Sequence, residues 1–390
     1  MQPPIIARPT PVEWLRRNLF GNPVDSTITV ILALLLGSLA WRLGHWAIAE
    51  ADWAVLRRSW SILFVGRYPT AEQWRLWLLL FLLCGTGGFS AGVLSASNSR
   101  PRPLLWAGLG LVTALVPLPL GERLRLLLAL GLVPSLITLA SRWRSLRLTA
   151  LLPGLWAGLF LIGLWLIQGG FGLVPVASGD WGGLLLTLLT ALVSLICAFP
   201  LGVLLALGRQ SELPTIRRFC IGYIELFRGV PLITILFFGQ VMVPLFFDES
   251  LRMDRVLRAI VGLTLFAAAY LAENVRGGLQ AIPRGQVEAA RSLGLSPWQT
   301  TLRIVLPQAL KVSIPAVVGQ FISLFQDTTL LSIVGLLELL GIGRAVLSNP
   351  DNLGRYGEIY LFIGLLYWIC CWAMSWCSRR LEQSLHTDHR

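Results

Sequence analysis

Apolar residues run through this chain in long stretches separated by short polar segments. Several stretches reach the ~20 residues that a membrane-crossing helix needs. Read in order, spans are expected at about 27–49, 74–95, 103–118, 122–140, 150–168, 182–207, 219–247, 258–280, 313–336 and 358–377. The pattern predicts an all-α polytopic membrane protein with about ten transmembrane helices. The first stretch is longer than the roughly 7–15-residue apolar core of a signal peptide and contains Arg42, so it reads as a retained span despite the cleavage-like Ala47-Ile48-Ala49.

Glycines punctuate the middle of the chain. Gly169-Gly170-Phe171-Gly172 and Gly179-Asp180-Trp181 predict a break, and they divide the chain into an N-terminal membrane region, 1–177, with about five helices, and a core, 178–390, with five more. The first half carries few intramembrane charges and no motif, as a lipid-facing scaffold or assembly surface would. Trp53, Trp60 and Tyr68 suit an interfacial belt in the loop 50–73.

One polar island interrupts the apolar second half, PRGQVEAARSLGLSPWQTTLRIVLP from Pro283 to Pro307, within the loop 281–312. Its punctuation predicts two short helices meeting at a bend. Ala281 to Leu293 is rich in helix formers, and Gly294 suits the left-handed position past a helix end. Ser296 offers an N-cap, Pro297 fits the first helical position, and Gln299 completes a capping box.

Composition narrows the chemistry. Only 13% of the 390 residues are charged, and the net charge of +12 is dispersed over short loops rather than gathered for nucleic acid. Alternate loops, with the two termini, hold eighteen basic residues on one side and nine on the other, which predicts cytoplasmic termini and a cytoplasmic 281–312 loop. Lys311, the single lysine, lies between Leu310 and Val312, so the chain has no phosphate-binding loop of the GxxxxGK[ST] type. Its six cysteines and three histidines show no metal-ligand spacing and no nucleophile arrangement. No enzyme activity and no cofactor are expected in this chain.

Ionisable residues inside spans are costly and usually face a bundle interior or a cavity. Glu225 with Arg228, and Glu273 with Arg276, lie three apart near the predicted cytoplasmic ends of two core helices. Each couple is read either as an ion pair within one helix or as part of a translocation path or gate. Gln326-Asp327-Thr328-Thr329 lies inside a span. Asp327, some 20 Å into a helix begun near 313, is placed near the bilayer middle with no cation at i±3 or i±4. It is the candidate for the substrate's ammonium, with the threonine hydroxyls as donors to the substrate's carboxylate; the alternative is a bond to Arg228 or Arg276 that holds the core together.

The polar island resembles the EAA loop of ABC importer permeases: Glu-Ala-Ala, three residues, Gly, nine residues, Ile-x-Leu-Pro. Glu288, Ala289, Ala290, Gly294, Ile304, Leu306 and Pro307 fill every fixed place. Around it, ELFRGVPL (225–232), AENVRGGLQAIPRGQVEAA (272–290) and DTTL (327–330) resemble the HisM/HisQ branch of type I polar amino acid permeases. The long N-terminal half resembles the M-type subunit of general L-amino-acid transporters. The resemblance implies a type I permease core whose coupling helices sit on an ABC ATPase dimer, where ATP and Mg are bound. It also implies a second, non-identical Q-type permease, a periplasmic amino-acid-binding protein, an inner-membrane setting among lipid, and alternating access driven by ATP. The branch often has Lys before the Asp-Thr, whereas here it is Gln326, which leaves the substrate's charge preference open. The competing reading is a proton-coupled secondary transporter using Asp327 and Glu273.

Overall fold

The computed structural model describes residues 10–94, 120–142, 146–246 and 253–386. The apolar runs become helices because lipid offers no partner for backbone N–H and C=O groups, and a helix satisfies them internally. Among the described residues seven helices are long and apolar enough to cross a membrane: Pro23–Glu50, Thr70–Leu94, Leu148–Gln168, Gly183–Arg209, Arg255–Gln280, Pro297–Ser332 and Tyr356–Glu382. The span expected at 219–247 is not one continuous helix but the pair Pro214–Gly229 and Leu232–Phe246, bent by 101°; the pair makes an eighth crossing only when counted as one span. The predicted span 122–140 forms the helix Leu120–Arg142. The predicted span 103–118, the turn 96–102 and residues 248–252 of the next loop lie outside the described residues.

Residues 10–53 form one unit. Helix α1 (Pro11–Leu19) starts with a capping box between Thr10 and Glu13. Helix α2 (Pro23–His45) is capped by Asn22, whose side chain accepts from Asp25 N at 2.8 Å, and it continues in a π turn to Glu50. No side chain of α2 is buried.

The second unit begins with α3 (Ala54–Val65), α4 (Trp74–Leu94), α5 (Leu120–Arg142) and α6 (Leu146–Gln168). Helix α4 packs against α5 at Gly88, where a Cβ would lie 2.7 Å from the carbonyl of Val133, so only glycine permits this approach. Arg75, 1% exposed, is held by Glu72 and by the Val174 carbonyl at 2.8 Å. The Tyr68 hydroxyl donates to the Ile167 carbonyl at 3.0 Å.

The core then runs through α7 (Gly183–Arg209), α8 (Pro214–Gly229), α9 (Leu232–Phe237), α10 (Arg255–Gln280), α11 (Arg284–Ser292), α12 (Pro297–Thr300), α13 (Leu306–Asp327), α14 (Leu339–Leu347) and α15 (Tyr356–His386). Helix α10 is its centre and packs against α7 and α13. Small residues set the spacing. Gly202 of α7 sits under Leu271 and Ala268, and a Cβ on Gly278 would lie 2.4 Å from the Ala309 carbonyl.

The structure corrects two expectations about the span placed at 313–336. That helix is continuous from Pro297, with a π turn at Thr301–Val305 just before Pro307. Proline lacks an N–H and its ring crowds the preceding turn, and a π turn there accommodates both without ending the helix. At its other end α13 stops at Asp327, followed by a 3₁₀ turn, Thr328–Ser332.

Candidate coupling loop and charged core

The loop between α10 and α13 takes its shape from local bonds. Helix α11 ends in a Schellman motif: Leu295 N donates to Ala290 O at 3.2 Å and Gly294 N donates to Arg291 O at 2.9 Å. This requires a left-handed residue at 294, and Gly294 has φ +79° with open space around it. The next turn opens with the expected capping box: Gln299 N donates to Ser296 Oγ at 3.3 Å and Ser296 N to Gln299 Oε1 at 3.1 Å. Ala290 is buried beneath the bend, while Glu288 and Ala289 face outward, Ile304 and Leu306 are half-buried and Pro307 is exposed. Leu293 and Trp298, 82% and 66% exposed, stand on this polar projection. Sequence reading missed both, although two large apolar residues flanking a capped bend were a visible signal of a docking surface.

The charged residues of the core assemble differently from the two expected couples. Glu273 and Arg276 of α10 do pair. Arg228 turns to Glu273, at 3.2 Å, and not to Glu225. Arg209, the last residue of α7, reaches both carboxylates, with Nη1 2.9 Å from Glu273 and Nη2 3.4 Å from Glu225. Three guanidiniums from three helices thus converge on Glu273, and Arg228 also lies over the Tyr270 ring at 5.5 Å. Arg209 and Arg228 sit at helix C-termini, where the backbone carbonyls favour a cation. Arg228 and Arg276, the two arginines named above as alternative partners for Asp327, both engage Glu273.

Asp327 stands apart. It is half-buried, and among the described residues no side chain hydrogen-bonds or ion-pairs with its carboxylate. It closes α13, so its charge adds to the negative end of the helix and makes a cation-attracting position. The threonine hydroxyls are already committed: Thr328 Oγ1 donates to Phe325 O at 2.6 Å and Thr329 Oγ1 to Gln326 O at 2.8 Å. Thr328 is fully buried, and Gln326 is exposed with Nε2 3.6 Å from Cys371 Sγ. Asn274, beside Glu273, donates to Ala316 O at 3.2 Å. Asp327 lies eleven residues beyond Ala316, or about 16 Å along the helix.

A buried carboxylate that the sequence did not single out lies past the 3₁₀ turn. Glu338, 0% exposed, caps α14, accepting from Leu340 N and Gly341 N at 2.8 Å each and from the Tyr367 hydroxyl at 3.2 Å. Leu339 N donates to Thr187 Oγ1 at 3.0 Å, and Gly183 N to Leu337 O at 2.9 Å, so this corner ties α7, α14 and α15 together. Burial pushes the Glu338 carboxyl up to about 7, against the opposing pull of its hydrogen bonds.

The chain matches the family of binding-protein-dependent transport system inner membrane components over residues 198–387. It is 39% identical over 378 residues to the inner membrane amino-acid ABC transporter permease protein YhdY of Escherichia coli, covering 96% of this chain and 93% of that protein. It is 36% identical over 434 residues to the glutamate/glutamine/aspartate/asparagine transport system permease protein BztC of Rhodobacter capsulatus, covering 98% and 97%. A shorter relative, the probable glutamine ABC transporter permease protein GlnP of Bacillus subtilis, is 36% identical over 202 residues, covering 52% of this chain and 91% of that protein. With full-length likeness to two such permeases and the family match over its second half, the chain belongs to the amino-acid ABC transporter permeases.

Proposed function

We propose that this chain works with a non-identical Q-type permease, an ATPase dimer and a periplasmic binding protein to carry amino acids inward. As a permease subunit of an ABC importer it relies on ATP hydrolysed outside the chain, which replaces the proton-coupled reading of Asp327 and Glu273. The observation that carries the proposal is the coupling loop. A rigid, locally capped projection presents Glu288, Leu293 and Trp298, and its two ends are the ends of α10 and of the long helix from Pro297. Force applied there reaches both helices directly. Residues 178–390 are the transport core on this reading, and 1–177 an accessory membrane region; a relative about half as long, GlnP, is covered almost completely by half of this chain. The eighteen-to-nine bias of basic residues supports cytoplasmic termini, and labelling by an impermeant thiol reagent of a cysteine at position 291 in intact cells would overturn that orientation.

Within the core, Asp327 is the station for the substrate's ammonium. The carboxylate partner must come from elsewhere, since Thr328 and Thr329 donate to the backbone. Reconstituted with its partners, the complex is expected to hydrolyse ATP faster with a particular amino acid and the binding protein than without. Asp327→Asn is expected to leave assembly intact and to change the apparent affinity for substrate about tenfold, the value of one lost charge-assisted contact. Unaltered kinetics and substrate range in a well-assembled Asp327→Asn complex exclude a direct role.

A further inference from the structure

Helix α8 is held weakly by apolar contacts. It buries only Cys220 and Ile224, whereas α10 buries twelve side chains, several of them alanines and glycines shared with α7 and α13. What positions α8 is polar: the Tyr223 hydroxyl donates to Leu265 O of α10 at 2.9 Å, Arg228 meets Glu273 of α10, and Glu225 meets Arg209 of α7. Past Gly229 the chain breaks at Val230 and Pro231, both extended, and re-enters a helix at 101°. The far end of this path, through α10, leads within a few residues into the coupling loop.

We propose that Arg209 is a positioning residue for transport: by bridging Glu273 and Glu225 it makes α8 follow α10, so that movement of the coupling loop reaches the broken helix pair α8–α9. This rests on the importer reading above. The physical reasoning is one of relative stiffness. The α7–α10 and α10–α13 contacts are close-packed through small residues and move as a body. Helix α8 is packed as closely only where Gly208 of α7 faces Cys220, and its direct bonds to α10 are those of Tyr223 and Arg228. Loss of Arg209 removes its charge link to α7 and loosens the Glu273 cluster that holds Arg228, so α8 follows the body less closely. Arginine suits the task because its planar fork serves two carboxylates at once, which a lysine ammonium on a flexible stem does less well.

The experiment measures substrate uptake and ATP hydrolysis side by side in proteoliposomes holding the full complex with binding protein and amino acid. Arg209→Gln is expected to lower the number of substrate molecules carried per ATP by about fivefold or more, a typical coupling strength, while ATP hydrolysis continues. A merely structural role lowers uptake and hydrolysis together, leaving the ratio at the wild-type value, and that result overturns the proposal. If Arg209→Gln does not assemble, Arg209→Lys decides: a reduced ratio supports the tie, and a wild-type ratio overturns it. Glu225→Gln with Arg209→Gln closes a double-mutant cycle, and the tie requires the pair to be non-additive in the ratio. A wild-type complex whose hydrolysis no amino acid stimulates removes the importer reading and the tie with it, whereas wild-type stimulation with unaltered variant ratios removes the tie alone.

Discussion

The coupling loop and the charged core are the two polar regions of the second half of the chain, and they are built on opposite principles. In the loop each defining bond spans three to five residues: Ser296 with Gln299, Gly294 with Arg291, Leu295 with Ala290. In the core only Glu273–Arg276 is local, and the other bonds of the cluster span 16 to 64 residues, as from Arg209 to Glu225 and to Glu273. A local device keeps its shape whatever its neighbours do, as a lever needs. A cluster drawn from three helices exists only in one arrangement of those helices, and that makes it sensitive to their movement. Arg75 shows the contrast from another side: a buried arginine held by Glu72 and one carbonyl, three and 99 residues away, belongs to a fixed joint.

The largest effect that sharpens this contrast is expected at Glu338, a fully buried carboxylate at a joint of three helices. Its folded-state value of about 7 lies above the ordinary 4.5, so the fold favours the protonated form. Its contribution to stability is complete below pH 4.5 and is lost as pH climbs through about 7, a change of about 3 kcal/mol. The groups facing it are Tyr367 of α15, Arg344 of α14 and, through the neighbouring amide of Leu339, Thr187 of α7. Glu338→Gln should abolish that pH dependence, with thermal unfolding followed at pH 4.5 and pH 8. A variant that keeps the wild-type slope would show that the carboxylate does not titrate across this range.

A smaller effect is expected in the loop. Gly294→Asp places a side chain at φ +79° with no steric neighbour, so only the backbone strain remains, about 1–2 kcal/mol. The loss should stay local: ATPase co-purification falls while the thermal stability of the permease changes little. Gly294→Asn, which tolerates the left-handed region better, should recover most of the docking. If Gly294→Asp instead destabilised the whole core, the loop would not be the autonomous lever that its short-range bonds describe.

The same distinction explains what was readable before the structure. The Schellman bend, the capping box and the first helical position of Pro297 were legible because the residues that make them are neighbours in the chain. Most spans were legible because apolar run length answers directly to membrane thickness. The Glu225–Arg228 pairing failed because i,i+3 spacing makes a pair available without making it preferred, and Arg209 and Glu273 on other helices were better placed. The start of that helix was missed because the polar loop was drawn through residue 312, while the helix runs on from Pro297 and a π turn carries it up to Pro307.

By itself, then, the sequence determined the helical membrane architecture, the position and bend of the 281–312 loop, and the identity of Asp327 as a carboxylate with no cation one turn away at i±3 or i±4. Only the tertiary structure decided which carboxylate each arginine serves and that Glu338 is sealed inside the corner between α7, α14 and α15. The reason is physical. Hydrophobic length and helix capping act within a segment, whereas the partner of a charge is whichever group the packing of other helices brings within about 4 Å, and nothing in local spacing encodes that meeting.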